Sequence, residues 1–150
     1  MNELVVALGW AGVYGAMALG AVGSIIGCAI AGQAAIGAMV ETEGGHGRYV
    51  GVSVMPSSQV IYGIVIMFTL NREITEANGG ALAGIGLLAG IALMMSGIRQ
   101  GQTCASAINA AKVKPEIFGL SLAPAAIVEG FAVFAFVFAL VLSGSIPTAS

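Results

Sequence analysis

The stretch Pro124–Gly144, PAAIVEGFAVFAFVFALVLSG, decides the fold, because it is an apolar run interrupted by a single glutamate, Glu129. A run of this length crosses the hydrocarbon core of a bilayer, which needs roughly 20 apolar residues. Carboxylates inside spanning helices are costly, and those that occur usually lie on ion or proton pathways. The plainer alternative is a carboxylate at the membrane surface or paired with a basic neighbour. Glu129 is therefore the first candidate functional residue.

The composition of the whole chain is typical of a membrane protein. Hydrophobic residues make up 58% of it and charged residues only 8%, and the mean hydropathy is +0.99. Soluble domains carry about 25% charged residues. The net charge of −2 excludes the basic surface of a nucleic-acid-binding protein, and no Walker A or HExxH motif is present. We expect an integral membrane protein that is embedded in the lipid bilayer. We expect no nucleic acid among its partners.

Four long apolar segments predict an all-α membrane protein with four transmembrane helices. They run over about 3–40, 49–70, 81–111 and 116–144. The first and third are too long for one hydrocarbon core, so part of each should project beyond it. The N-terminus, MNELVVALGW, lacks a basic region, so we expect the first helix to remain in the mature protein. The segments form one membrane domain, 1–150, made of two fused helical hairpins at about 3–70 and 80–143.

Lysine and arginine counts in the loops predict the orientation. The third loop, 112–116, carries two lysines, whereas the first, 41–48, and the second carry one arginine each. The positive-inside rule then places loops 41–48 and 112–116 in the cytoplasm and both termini on the extracellular side of the cell membrane.

The two hairpins are similar in sequence. GSIIGCAIAGQ (Gly23–Gln33) aligns with ALMMSGIRQGQ (Ala92–Gln102) at an offset of 69. MPSSQVIYGIVIMFTL (Met55–Leu70) resembles LAPAAIVEGFAVFAFVFAL (Leu122–Leu140), with a proline at a similar place in each. The chain is therefore interpreted as a duplication of one ancestral hairpin.

Glycines in the first and third segments recur four residues apart, which places them on one face of a helix. Such faces let helix backbones approach closely in lipid. We predict that the first and third helices form a crowded inner surface and that the second and fourth face lipid, as in a ring. The pairs are Gly23/Gly27, Gly80/Gly84, Gly86/Gly90 and Gly97/Gly101.

Three polar side chains on three different helices are expected at one depth. Gln59, Gln100 and Glu129 each lie about 11–13 residues from the same side of the membrane, or roughly 16–20 Å at 1.5 Å per residue. Ser58 and Tyr62 share a helix face with Gln59. This spacing predicts one site, and its oxygen atoms suit a small hard cation. The alternative, hydrogen bonding between helices, is preferred for Ser57 and Gln102.

Arg99 lies next to Gln100 in the sequence. Neighbours on a helix point about 100° apart, so we expect Arg99 to face the inner ring surface rather than Glu129.

The most specific motifs are PSSQVIYG (Pro56–Gly63), SGIRQG (Ser96–Gly101) and AAIVEGFA (Ala125–Ala132). Through them the chain resembles, over essentially its whole length, the proteolipid (c, or K) subunit of the V-type/A-type rotary ATPases in its duplicated four-helix form. The resemblance implies a homo-oligomeric ring of about ten copies, turning against a stator membrane subunit with an arginine and attached to central stalk subunits. It also implies a non-catalytic subunit, because the nucleotide sites belong to partners.

Resemblance to the sodium-binding members implies the ligands of the ion. They are Glu129, Gln59, Gln100, Ser58 and the backbone carbonyl of Met55, with Tyr62 hydrogen-bonded to Glu129. The expected ion is Na+, with H+ as the alternative. Gly130 departs from the pattern, because some sodium-binding relatives carry a hydroxyl residue there.

Two other classes of protein have a similar outline. One is a small proton-coupled four-helix exporter, which carries its acid in the first helix; the other is a purely structural four-helix membrane protein. The core of the first segment here has no acid, which favours the rotor subunit.

Overall fold

A computed structural model of the chain describes residues 3–147, so residues 1–2 and 148–150 of the predicted domain 1–150 lie outside the description. Four helical spans are long and apolar enough to cross a membrane, and no strand occurs among the described residues. The predicted all-α, multi-pass membrane protein is confirmed. The spans are Glu3–Glu41, His46–Leu70, Gly79–Val113 and Pro115–Ser143.

The first and third spans are single helices, α1 (Glu3–Glu41) and α4 (Gly79–Val113). The other two are broken. The second contains α2 (His46–Ser53), a 3-10 turn (Met55–Ser57) and α3 (Ser58–Leu70). The fourth contains a 3-10 turn (Pro115–Ile117), α5 (Phe118–Ser121) and α6 (Ala123–Ser143).

The break before α3 lies at Pro56, which has no amide N–H to donate to the preceding turn. The amide of Ser57 donates to the carbonyl of Val54 at 3.1 Å instead, which tightens the chain into the 3-10 turn. The turn ends at Ser57, and Ser58 and Gln59 begin α3. The sequence singled out Pro56 but not the change of helix type that follows from it.

Helices α1 and α4 form the centre of the molecule, and glycine brings their backbones together. A Cβ added to Gly12 or Gly86 would collide with the backbone of the other helix, and so would one added to Gly27 or Gly101. The predicted close approach is therefore confirmed for the pairs in the middle of these helices. It does not hold within the chain for the pair Gly80/Gly84, where an added Cβ meets no atom within 4 Å.

Helices α3 and α6 pack on the outside of this central pair. Helix α6 presents Phe131, Phe134 and Phe138 outward, each at least 60% exposed. Apolar side chains exposed along a spanning helix suit contact with lipid, as predicted for the second and fourth segments.

The loops that close the two hairpins lie at the same end of the bundle, and the loop that connects the hairpins lies at the other end. Lys112 near the end of α4 forms an ion pair of 2.8 Å with Glu41 at the end of α1. This contact places the first and third loops on the same side of the molecule, as predicted. At the other end, the fully buried Asn78 accepts a hydrogen bond from the amide of Thr75 at 2.8 Å and donates to the carbonyl of Glu73 at 2.9 Å.

Candidate functional site

The carboxylate of Glu129 is held by donors from two other helices. It lies on α6, partly buried. The hydroxyl of Tyr62 on α3 donates to Oε1 at 3.1 Å, and Nε2 of Gln100 on α4 donates to Oε2 at 3.0 Å. Both donors are uncharged side chains of neighbouring helices.

Gln59 and Gln100 extend this hydrogen-bond network through the centre of the molecule. Both side chains are 0% exposed. Nε2 of Gln59 donates to Oε1 of Gln100 at 2.9 Å, and Gln100 in turn donates to Glu129. The three side chains that the sequence placed at one depth therefore form one connected network, in which each hydrogen bond polarises the next.

Ser96 belongs to the same network and was not predicted as a site residue. Its Oγ accepts from Nε2 of Gln59 at 3.3 Å and donates to the carbonyl of Val128 at 3.0 Å. The signal in the sequence was its spacing, because Ser96 and Gln100 lie four residues apart on one helix face.

Ser58 and the carbonyl of Met55 lie beside this network. Ser58 Oγ is 3.3 Å from the Met55 carbonyl and 3.4 Å from Oε1 of Gln59. Both distances are long for hydroxyl bonds, which are usually about 2.7–2.8 Å. The 3-10 turn brings the Met55 carbonyl to this position, since the amide of Ser58 donates to it.

The prediction that Ser57 and Gln102 bond between helices is wrong. Ser57 Oγ donates to the carbonyl of Val54 at 2.7 Å, within its own turn. Gln102 accepts a hydrogen bond of 3.0 Å from Arg99, one turn away on the same helix. Short polar side chains satisfy a nearby backbone carbonyl at less entropic cost than a distant helix.

Arg99 is exposed and, within the described part of the chain, forms its hydrogen bond with Gln102 rather than with Glu129. The expectation that it points away from the carboxylate is confirmed.

Packing fixes the positions of the site residues. Ser24 of α1 accepts a hydrogen bond from the amide of Val60 at 3.1 Å. Gly20 of α1 lies against the backbone carbonyl of Gln59, 2.8 Å from the position of an added Cβ. The ring of Tyr62 stacks on Phe136 with centroids 5.2 Å apart, which directs its hydroxyl toward Glu129.

The arrangement presents several oxygen atoms to one small volume. They belong to a carboxylate, two amides, a hydroxyl and a main-chain carbonyl, which are the groups that hard cations prefer. The terminal torsion of a glutamine is soft. Gln100 can therefore present its oxygen, in place of its nitrogen, to a cation beside Glu129.

Known proteins resemble this chain over most of its length. The family model for the C subunit of ATP synthase matches residues 11–70 and again residues 83–142. The A-type ATP synthase subunit K of Methanocaldococcus jannaschii is 36% identical over 137 residues, which cover 89% of this chain and 62% of that protein. The V-type sodium ATPase subunit K of Enterococcus hirae is 29% identical over 125 residues, which cover 81% of this chain and 80% of that protein. The chain therefore spans less than two thirds of the length of the archaeal relative.

The two family matches confirm the duplication but correct its register. Residue 11 corresponds to residue 83, and residue 70 to residue 142, so the offset is 72 rather than 69. Ser24 and Ser96 are 72 apart, and each bonds the backbone of the outer helix of its own hairpin, but through different groups: Ser24 accepts from the amide of Val60, whereas Ser96 donates to the carbonyl of Val128. Three residues turn a helix by about 300°, close to a full turn, so a stripe of small residues aligns nearly as well in either register.

Proposed function

The chain belongs to the family of ATP synthase C subunits, and from this premise we propose that it is a rotor-ring subunit of a V-type or A-type rotary ATPase that carries Na+ on Glu129. About ten copies close the ring. The ring turns against a stator membrane subunit whose arginine releases the ion, and central stalk subunits link it to the nucleotide sites. The chain itself is a non-catalytic membrane subunit.

The observation that carries this proposal is a carboxylate in a spanning helix that accepts hydrogen bonds from two other helices, at Tyr62 and Gln100. A bare carboxylate is expensive next to lipid, so it must be neutralised by a cation or a proton before it leaves a polar surface. A loaded copy of the chain can therefore move through lipid, whereas an unloaded one stays at the stator. Rotation and ion transfer are coupled for this reason.

Na+ rather than H+ is supported by the number of oxygen atoms around Glu129. A proton needs one acceptor, whereas a small cation needs several oxygen ligands. Gln59, Gln100, Ser58 and the Met55 carbonyl supply them. The Enterococcus hirae relative is named as a subunit of a sodium ATPase, which agrees with this choice.

The proposed orientation follows the lysines. The ion pair between Lys112 and Glu41 joins the ends of α4 and α1 at one end of the bundle. With loops 41–48 and 112–116 in the cytoplasm, this end faces the central stalk, and both termini lie on the extracellular side of the cell membrane.

Labelling with a hydrophobic carbodiimide tests the proposal, because the reagent attacks a protonated carboxyl in an apolar environment. We expect Glu129 to be labelled and Na+ to suppress the labelling, more strongly at high pH, where fewer protons compete for the carboxylate. Labelling that Na+ leaves unchanged would mean a proton-carrying rotor. Absence of labelling at every pH would refute the assignment of Glu129.

The matched variants are Glu129→Gln and, as a control, Glu116→Gln, which alters an exposed loop carboxylate. Glu129→Gln should abolish both labelling and coupled transport while the ring still assembles, as measured by native mass spectrometry and by ion uptake in vesicles. Glu116→Gln should leave all three measurements at the level of the unmodified protein. Coupled transport by the Glu129→Gln protein would contradict the mechanism.

A further inference from the structure

Two stripes on the central helices are largely exposed in the single chain. The α1 stripe consists of Trp10, Tyr14, Ala18, Val22, Ile25 and Ala29, of which Ala18 is half-buried. The α4 stripe consists of Ala81, Gly84, Leu88, Ala92, Met95 and Arg99, of which Gly84 is half-buried. These helices otherwise bury their small residues against each other, so two uncovered faces on the innermost elements require a partner.

The internal repeat relates each stripe to a face that is already packed. Gly12 on α1 is in contact with Leu82, Ala83 and Gly86 on α4. Moving Gly12 forward by the offset of 72 gives Gly84, where an added Cβ meets nothing within 4 Å. The same offset relates the three α4 residues to Trp10, Ala11 and Tyr14, at the start of the α1 stripe. Gly84 therefore lacks the neighbour that its counterpart Gly12 has.

The space beside Gly84 is large and apolar. A groove of about 410 Å³ runs between α4 and α6, and its walls include Ala81, Gly84, Leu88, Phe138 and Leu142. Trp10 and Tyr14 on the α1 stripe are 54% and 58% exposed. Large side chains on one stripe thus match an empty groove on the other.

We propose that the α1 stripe of a second copy of this chain occupies the groove along the α4 stripe, with Tyr14 of that copy at Gly84. The proposal rests on the ring described above and specifies the faces and the register by which one copy adjoins the next. The interface is heterologous, because two different faces of the same chain meet, and this is the kind of contact that closes a ring.

The register follows from contacts within the chain. Gly12, Gly23 and Gly27 on α1 contact Gly86, Gly97 and Gly101, so the facing residue on α4 lies 74 positions later. The repeat relates each α1 residue to the α4 residue 72 positions later in the same chain. In the ring, it relates each α4 residue in the same way to the α1 residue of the next copy whose number is smaller by 72. Each α4 residue therefore faces the α1 residue of the next copy whose number is smaller by 70.

Side-chain sizes agree with this register. It pairs Gly84 with Tyr14, and Leu88 with Ala18 of the next copy. It also pairs Ala92 with Val22, whereas Met95 meets Ile25 and both of these side chains are large. Most large side chains on either stripe thus meet small ones on the other, which suits close packing between helices.

Polar groups agree as well. Arg99 and Gln102 are exposed on α4, and Gln33 is exposed on α1. The register puts Arg99 opposite Ala29 of the next copy and Gln33 about one turn further along, within reach of a long side chain. Exposed polar groups in spanning helices are costly in lipid, and docking in this register removes all three from it.

Disulfide cross-linking of the full chain in native membranes tests the register. In a background with Cys28→Ala and Cys104→Ala, one variant carries Tyr14→Cys with Gly84→Cys and a second carries Ala18→Cys with Leu88→Cys. Mild oxidation should convert both proteins into a ladder of covalent multimers. Ala18→Cys with Gly84→Cys is the control, because it shifts the pairing by one turn, about 5.4 Å, and it should stay largely monomeric.

Native mass spectrometry of each protein before oxidation separates this proposal from the proposed function. Intact rings that give no ladder, or that give one only with the control pair, overturn the register and leave the rotor assignment standing. Failure of the unmodified protein, measured alongside, to form a ring refutes the rotor assignment.

Filling the groove provides a second test. Gly84→Leu should lower the yield of closed rings at least several-fold, whereas Gly51→Leu should not. Both glycines have open space within the chain, so neither change disturbs the fold of one copy, and Gly51 lies on α2, outside both stripes. Rings of unchanged yield from the Gly84→Leu protein contradict the proposal.

Discussion

Glu129 receives each of its hydrogen bonds from a different helix, so the position of its carboxylate depends on how α3, α4 and α6 pack together. Tyr62 is the donor from α3, and its ring is fixed by Phe136. Hydrogen bonds to charged groups contribute about 1.5–3 kcal/mol. Individual donors should therefore have measurable effects on ion affinity.

Replacing Tyr62 by phenylalanine removes one of the two donors to Glu129 and leaves the stacked ring in place. We expect the Na+ concentration that half-suppresses carbodiimide labelling to rise about tenfold or more, as the loss of a charge-assisted hydrogen bond predicts. Tyr14→Phe, on the exposed face of α1, is the control and should not change this concentration. An unchanged value for Tyr62→Phe would mean that the hydroxyl does not hold the loaded carboxylate.

Ser96→Ala tests the residue that the sequence did not identify. The change removes the contact with Gln59 and the bond to the Val128 carbonyl, while Gln59 keeps its bond to Gln100. A neutral hydrogen bond contributes about 1 kcal/mol, so the same labelling assay should show Na+ affinity lowered about fivefold. Ser106→Ala, which removes an exposed bond within α4, serves as the control. Equal affinities for the two proteins would exclude Ser96 from the site.

The sequence predicted the site at the level of residue types and depth. The expected contacts are present among Glu129, Gln59, Gln100 and Tyr62. Polar side chains at one depth on neighbouring helices lie close enough to form hydrogen bonds with each other. The direction of each amide depends on contacts among three helices, which no pattern within one helix contains. Ser96 was not predicted for a related reason, since serine is as common in the packing of membrane helices as it is in ion-binding sites.

At the scale of elements, the central feature is the backbone contact between α1 and α4. The bounds of the four spans were predicted closely, since long apolar runs between charged loops indicate membrane-spanning helices. The breaks within the second and fourth spans were not predicted, because a proline near the start of a helix is compatible with a straight helix. The break in the second span bears on the proposed site, since the 3-10 turn at Met55–Ser57 directs a main-chain carbonyl toward it.

Gly12→Ala should destabilise the bundle, because the added Cβ collides with the backbone of Leu82 and Ala83. Overpacking of this kind costs about 1–3 kcal/mol, and the change should appear as a lower midpoint of thermal unfolding in detergent. Gly37→Ala, at a position on the same helix with open space, should not lower the midpoint, since alanine favours helix formation. Equal midpoints for the two variants would mean that α1 and α4 do not approach as closely as described.

At the scale of the whole molecule, the duplication leaves one carboxylate for every two hairpins. The position 72 residues before Glu129 is Ser57, which bonds its own backbone and has no charge to neutralise. Duplication was evident from the sequence, whereas its register was not, since stripes of small residues repeat at every turn and align nearly as well in either register; the two family matches gave the offset of 72. The contact between α1 and α4 within one chain is thus the template for the proposed contact between neighbouring copies.

In the proposed rotor, the single acid per pair of hairpins sets the number of ions that are moved in one turn. A rotor of a given circumference built from such chains moves half as many charges per turn as one with an acid in every hairpin. If the free energy available for one turn is fixed, each ion then receives twice as much of it. Moving one charge against about 100 mV requires about 2.3 kcal/mol, so the membrane potential at which such a motor stalls is doubled. The absence of a carboxylate at Ser57 therefore suits the proposed rotor to building steep gradients rather than to moving many ions quickly.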